Sequence, residues 1–214
     1  MTTLTKPTAR AASTALALEH ASDFAASADN AIKRMCDIFA SLLGIILLTP
    51  VWIIVALAVR LNDGGPAFFT QERVGLNGTT FTMFKFRTMR VDAEAMKASL
   101  VEANEADSSA GNSIMFKMTN DPRITRIGAF LRKTSIDELP QLFNVLRGDM
   151  SLVGPRPPLP SEVAQYEPRV MGKFAVRPGI TGLWQISGRS NLSWDETVHL
   201  DLSYAQHRSL TLDA

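Results

Sequence analysis

Twenty-two consecutive residues without a charge, Ile38 through Val59, constrain this chain more than any other feature. About 20 apolar residues cross a bilayer as a helix, so the run reads as a membrane segment. A buried helix of a soluble core usually keeps a polar stripe, and the run shows none. It begins behind a long polar leader and has no small-residue cleavage pattern, which excludes a secretory signal. Pro50, in the middle of the run after Thr49, removes one backbone hydrogen bond and predicts a kink or break there. Cations flank both ends, Lys33 and Arg34 before and Arg60 after, so the positive-inside rule marks neither side as the outer one. Either the helix spans with a modest kink, or it bends at Thr49–Pro50 and returns to the face it entered. Flank charge and proline position together favour the return.

The segment divides the chain into a leader (1–30), a membrane helix broken near Pro50 (31–60) and a cytoplasmic domain (61–214). The leader is rich in Ala, Ser and Thr and reads as disordered or weakly helical. The 154 residues after Arg60 are enough to bury a core. Lys+Arg 22 against Asp+Glu 21 leaves a net charge of +1, which excludes binding nucleic acid by bulk charge. The single cysteine, Cys36, excludes a disulfide framework and a Cys-based zinc site, and it reads as a free thiol. His20, His199 and His207 all lie outside Asp29–Val198, leaving little material for a His-dependent triad or metal cluster.

Past Arg60 the pattern is mixed, an α/β (α+β) domain. Ala67–Val74 and Thr79–Thr88 read as strands, with Asn77-Gly78 between them a strong hairpin signal. Alternation on the second strand puts Phe84 and Phe86 on one face and Lys85 and Arg87 on the other. Ala93–Asn104 reads as a helix with Asp92 as its N-cap, and Glu105–Ser113 as a mobile stretch. Asn120-Asp121-Pro122 opens a helix running to about Arg132. Another helix, near Glu138–Arg147, carries Leu139, Leu142, Phe143 and Leu146 as a core-facing stripe. The remainder alternates short strands with proline and glycine turns, and Trp184 and Trp194 read as core.

The segment Leu131 to Leu142 holds the most informative chemistry. Asp137 and Glu138 stand at the start of an amphipathic helix, just after Arg132 and Lys133. Ser135-x-x-Glu138 fits a capping box, but Pro140 fits better with Asp137 as the cap, where its missing N–H costs nothing. An aspartate there, beside Arg132, is expected to stay ionised, and the same helix N-terminus attracts phosphate. An ionised carboxylate is one of the protein nucleophiles for phosphoryl groups, so capping and catalysis both fit these residues. Lys85, Arg87, Arg132 and Arg156 are each embedded in apolar or rigid sequence, Arg156 between Pro155 and Pro157. Singly each reads as a surface cation. Around a carboxylate pair they point to a diphosphate site.

These stretches carry a resemblance. The Pro-broken apolar segment, Gly64-Gly65-Pro66, Gln71 through Gly75, Phe84 through Met89, Arg132 through Leu142, Gly148 through Pro157 and Arg177 through Gln185 occur in one order. In this the chain resembles the monotopic phosphoglycosyl transferases, the bacterial sugar transferases that load a sugar phosphate onto polyprenol (undecaprenyl) phosphate. The resemblance covers roughly residues 31–212.

What the resemblance implies is specific. The aspartate matching Asp137 attacks the β-phosphate of a UDP-sugar and expels UMP; polyprenol phosphate then takes the phosphosugar from the enzyme. Glu138 completes the catalytic pair, the reaction requires Mg²⁺, and Asp137 and Glu138 are the implied metal residues. Lys85, Arg87, Arg132, Arg156, Gln185 and Arg189 are the implied substrate-binding residues. The implied place is the cytoplasmic face of the bacterial inner membrane, with a lipid bilayer, the two substrates and downstream glycosyltransferases as partners and no nucleic acid. Many relatives carry extra spanning helices for which the leader is too short, and the family's chain continues into a terminal helix where this sequence stops at Ala214. A non-catalytic membrane adaptor of a polysaccharide assembly complex is the alternative, and it would need Asp137-Glu138 for nothing beyond capping.

Overall fold

The structure, a computed structural model, describes residues 9–97, 121–188 and 192–214. The expected mobile stretch Glu105–Ser113, the far half of the helix from Ala93, and Arg189 lie outside the described residues.

One helix, α1 (Ala9–Asp63), contains both the described part of the leader and the apolar run, with Pro50 inside it. The chain stays helical on both sides of Pro50, so the expected break is reduced to one missing hydrogen bond. Beside it Thr49 Oγ1 donates to the Ile45 carbonyl at 2.7 Å. Residues Ala28–Asp63 are long and apolar enough to cross a membrane, and contain an 18-residue stretch of mean hydropathy 2.8.

The polar stripe that the run itself lacks begins just before it. Lys33, Asp37, Ser41, Trp52, Val55 and Val59 are all buried, and they recur at helical spacing along one face. Arg34 donates to the carbonyls of Val145 (2.5 Å) and Leu146 (2.8 Å). Asp37 accepts from Ser151 Oγ (2.8 Å) and the Leu152 amide (3.1 Å), and Lys33 pairs with Asp213 at 2.5 Å. The other face exposes Phe39, Ile46, Leu47, Ile54, Leu57 and Leu61.

Strands β1 (Phe68–Val74) and β2 (Thr80–Phe86) form the expected hairpin, in register Phe68↔Phe86 through Val74↔Thr80. Asn77 (φ 55°) and Gly78 (φ 76°) both take the left-handed conformation at its tip. Phe86 stacks on Phe68 (5.1 Å between centroids) and meets Trp52 edge-on at 6.5 Å. Phe86, Trp52, Val55, Val59, Leu131 and Leu142 form the main core, so the membrane-type helix is also a wall of the domain.

Several expectations along the chain are corrected. After the short α2 (Ala93–Lys97), the helix expected to open at Asp121 begins later, as α3 (Arg126–Thr134). Thr125 caps it by accepting from the Gly128 amide, while Asp121 turns back to hold Arg123 at 2.6 Å. α4 spans Gln141–Arg147, and its buried face is Gln141, Leu142, Asn144 and Val145, with Phe143 exposed. Apolarity alone points Phe143 inward, but docking through Asn144 turns a different face of α4 toward β2. Asn144, fully buried, accepts from the Phe84 amide (3.0 Å) and donates to the Thr82 carbonyl (2.7 Å), clamping α4 onto β2.

Downstream, β3 (Ser151–Val153) and β4 (Gly179–Thr181) pair in parallel. Between them lie α5 (Pro160–Val163) and a 3₁₀ segment, Pro168–Ala175. α6 (Leu183–Ile186) is followed by α7 (Trp194–His207) and α8 (Leu210–Asp213). A remainder of strands and turns is therefore wrong for the last quarter. The missed signal for α7 is its capping box: the Glu196 amide donates to Ser193 Oγ at 3.3 Å, and the Ser193 amide to Glu196 Oε2 at 2.8 Å.

Candidate active site

α3, the turn after it and the hairpin position the candidate site. At Gly128 an added Cβ would lie 1.9 Å from the Thr88 carbonyl oxygen, so only glycine lets α3 approach the chain after β2 this closely. That approach brings Arg132 onto Thr88, Nε donating to Oγ1 at 3.0 Å.

α3 ends at Ser135 in the left-handed conformation (φ 57°), and Ile136–Glu138 form one 3₁₀ turn. Pro140 has no N–H to give to Ile136. The Leu139 amide takes that carbonyl instead (3.2 Å), and the Glu138 amide takes that of Ser135 (3.2 Å). Neither Ser135 nor Asp137 caps a helix with its side chain, so both capping expectations are corrected. The tight turn displaces the start of α4 beyond Pro140 and leaves the Asp137 carboxyl unspent.

Asp137 is buried, 7% exposed, yet lines the largest cavity, about 660 Å³. Burial pushes its carboxyl above the ordinary aspartate range; Lys85 and Arg132 pull it down and Glu138 adds to the rise. Lys85 and Arg132 offset that rise only in part, because burial is the largest of these effects. Among the described residues Asp137 has no ion pair within salt-bridge distance, whereas Glu138 holds Lys85 Nζ at 2.7 Å.

Of the six expected substrate-binding residues, Lys85, Arg87, Arg132 and Gln185 line this cavity. Arg156 lines an adjoining annex of about 120 Å³, which shares Arg73, Lys85, Glu138, Trp184 and Gln185 with the main cavity. Arg189 lies outside the described residues. Arg87 is held by Asp63 at the end of α1. A Cβ on Gly65 would come within 2.1 Å of its Nη1, so the turn folds directly over the guanidinium. Lys85 and Arg87 therefore share the cavity wall but not a partner.

Three wall residues had no assigned role. Arg73 and Thr88 sat inside quoted motifs without one. Trp184, expected in the core, is half-buried on both cavities, with its Nε1 buried and unpartnered. Trp194 packs on Tyr166, 5.2 Å between centroids. Among the described residues no group of three or more His, Cys, Asp or Glu gathers to hold a metal. Asp137 and Glu138 are the adjacent carboxylates on the cavity wall.

A profile of the bacterial sugar transferase family matches residues 28–214, which include all of these site residues. The chain belongs to that family. It is 50% identical over 182 residues to the galactosyl transferase CpsE of Streptococcus agalactiae, covering 85% of this chain and 39% of that protein. It is 44% identical over 182 residues to the undecaprenyl-phosphate galactose phosphotransferase of Salmonella typhimurium, covering 85% and 38%. With the exopolysaccharide production protein ExoY of Sinorhizobium fredii it shares 41% over 181 residues, 85% of this chain and 80% of the relative. The match thus spans about two fifths of the first two relatives' length and most of the third's. The family match takes in the long apolar helix as well as the site residues.

Proposed function

We propose that this chain transfers a sugar-1-phosphate from a UDP-sugar to polyprenol (undecaprenyl) phosphate and releases UMP, a first membrane step of lipid-linked polysaccharide synthesis. One observation carries the proposal: a buried carboxylate, Asp137, without an ion pair among the described residues, opens onto a large cavity walled by cations. The relatives named as a galactosyl transferase and an undecaprenyl-phosphate galactose phosphotransferase support the sugar and lipid-phosphate classes.

In the proposed reaction an Asp137 carboxylate oxygen attacks the β-phosphorus. The bond from that phosphorus to the bridging oxygen breaks, and the oxygen leaves on UMP with the electron pair. A phosphate oxygen of polyprenol phosphate then attacks the same phosphorus and returns Asp137 as a carboxylate. Partial desolvation leaves the Asp137 oxygen poorly hydrated and more basic, which favours attack once it is ionised. Lys85 and Arg132 offset charge developing on the phosphate oxygens.

Two adjacent carboxylates fit Mg²⁺, which typically takes one or two protein carboxylates and completes its shell with water and phosphate oxygens. Asp137 and Glu138 would hold it, and when bound it would neutralise phosphate charge. With Asp137 assigned to attack, Glu138 is the ligand of the two, and holding the ion would compete with its pairing to Lys85.

The packing of α1 supports a helix whose two ends lie on one face of the membrane. Asp37 binds β3 and Asp63 binds Arg87, 26 residues apart, about 39 Å of helix at 1.5 Å per residue. A bilayer's hydrocarbon core is only about 30 Å thick. A domain bonded at both ends of that stretch sits beside the helix, and the proposed place is the cytoplasmic face of the inner membrane, with the opposite, apolar face of α1 in lipid.

Wild-type protein mixed with UDP-sugar and no polyprenol phosphate tests the covalent step. The expected result is a stoichiometric burst of UMP, with one phosphosugar of added mass on the peptide containing Asp137. Neither signal appears if both substrates must bind before chemistry.

A further inference from the structure

The annex beside the main cavity is richer in positive charge than its neighbours can neutralise. Arg73, Lys85 and Arg156 line it with one carboxylate, Glu138. Glu138 is taken by Lys85 at 2.7 Å. Arg156 has its own partner, the buried Glu162, at 3.3 Å, and Glu162 is fixed in turn by accepting from the Leu159 amide at 2.7 Å. Arg73 is left over. It is only 8% exposed, and among the described residues no carboxylate lies within salt-bridge distance of it. Its Nη1 donates to the Pro157 carbonyl (3.0 Å) and its Nη2 to Gln71 Oε1 (2.6 Å), both neutral acceptors, and its Nε is buried with no partner.

Glu162 and Glu138 act on this guanidinium only from beyond salt-bridge distance; a buried guanidinium without a contacting counter-charge is costly, and a bound anion reduces that cost. Burial, with the nearby Arg156 charge, pulls Arg73 down to about 10, so it remains a cation at neutral pH. The two arginines are also held in fixed relation. The Val74 amide donates to Pro158 (2.9 Å), the Gly179 amide to Pro155 (2.9 Å), and Arg73 itself to Pro157, so β1, β4 and the proline-locked segment form one unit. Two guanidiniums already in place match the oxygens of a phosphate group without ordering long side chains at the moment of binding.

We propose that Arg73 and Arg156 form a two-guanidinium subsite that holds one phosphate group of a substrate in the annex, with Glu162 positioning Arg156. The inference rests on the transferase reading for its two sources of phosphate, the nucleotide and the lipid carrier. The chemistry shared by both is a phosphate oxyanion. Its position in the annex separates it from Asp137, which lines the main cavity alone.

Equilibrium binding to the purified full chain in nanodiscs tests this without turnover, using UMP, uridine and a short-chain polyprenol phosphate as probes. If the nucleotide's phosphate is the occupant, Arg73→Gln weakens UMP by about tenfold and leaves uridine unchanged. If the lipid's phosphate is the occupant, UMP affinity is unchanged and polyprenol phosphate weakens by a similar factor. Unchanged affinity for both overturns the proposal and leaves Arg73 a brace for the proline segment, as does a wild-type chain that binds neither. Should Arg73→Gln melt too early to measure, Arg73→Lys keeps the charge and loses the fork, and a smaller loss on the same ligand is expected. Wild-type affinities in both Arg73→Lys and Arg156→Gln would equally overturn it. An absence of UMP release from UDP-sugar sinks the transferase reading on its own, because phosphate binding is read separately.

Discussion

Asp137 and Asp201 are both buried, and burial pushes both carboxyls upward. Asp201, on α7, has a dedicated partner: Lys173 Nζ lies 2.5 Å away, and both side chains are almost fully enclosed. Among the described residues Asp137 has no such partner, and it opens onto the main cavity. The two environments share the same desolvation and differ in access and compensation. A buried carboxylate that is spoken for holds a fold together; one that is left open is available for chemistry. A raised acid by itself distinguishes neither case.

Exchanging each aspartate for asparagine gives the largest effects and the sharpest contrast. Asp137→Asn is expected to cut UMP release by roughly 10⁴-fold, with thermal melting nearly unchanged. Asp201→Asn leaves Lys173 buried without a counter-charge and is expected to cost about 3–5 kcal/mol of stability. Lys173→Met combined with Asp201→Leu should recover most of that loss in the same melting assay. Should Asp201→Asn melt like wild type while turnover disappears, the division between the two sites breaks.

A smaller contrast separates Lys85 from Arg87. Lys85 pairs with Glu138 inside the site and stays part-exposed, so Lys85→Ala should lower turnover by about 10²-fold and barely move melting. Arg87 is buried against Asp63 and the hairpin turn, so Arg87→Ala should destabilise by about 1–3 kcal/mol. Equal melting of the two variants would return Arg87 to the substrate-binding role that the sequence suggests.

The smallest expected effect is a pH dependence. An acid with a raised folded-state value binds its proton more tightly when folded. Its stabilising contribution is therefore present at low pH and lost as pH rises through that value. Asp137→Asn should match wild type in stability under acid conditions and become slightly more stable than it as pH rises. The kcat/KM of wild type should increase with pH over the same interval, with its acid limb above the ordinary aspartate range. An acid limb at or below that range would mean that the cations outweigh burial at Asp137.

Much of this was legible locally. The apolar run, the Asn77-Gly78 hairpin and the carboxylate pair beside Arg132 are short-range patterns, and the structure keeps all three. What could not be read depended on contacts far apart in sequence. Pro140 favoured a cap at Asp137, but the 3₁₀ turn from Ser135 pushed the helix start past it. The inward face of α4 is set by Asn144 bonding to β2, so Phe143 faces outward beside Trp52. Arg73 looked like one strand residue among several, because its lack of a carboxylate partner is visible only once the proline segment lies against it. For α7, by contrast, Ser193-x-x-Glu196 was a local signal and went unread.

The buried polar stripe of α1 sets an order of events in synthesis. Lys33, Asp37 and Ser41 emerge from the ribosome together with the apolar run, while the partners of Asp37 lie 114 and 115 residues further on and that of Lys33 lies 180 further. Chains are made from the N-terminus, so the apolar face reaches lipid before the domain that covers its polar edge exists. In the interval Lys33 and Asp37, one turn apart and 3.9 Å from each other in the finished protein, have only each other and interfacial water. Membrane entry thus precedes completion of the domain, and a chain halted before Ser151 carries a helix whose polar edge is still uncovered.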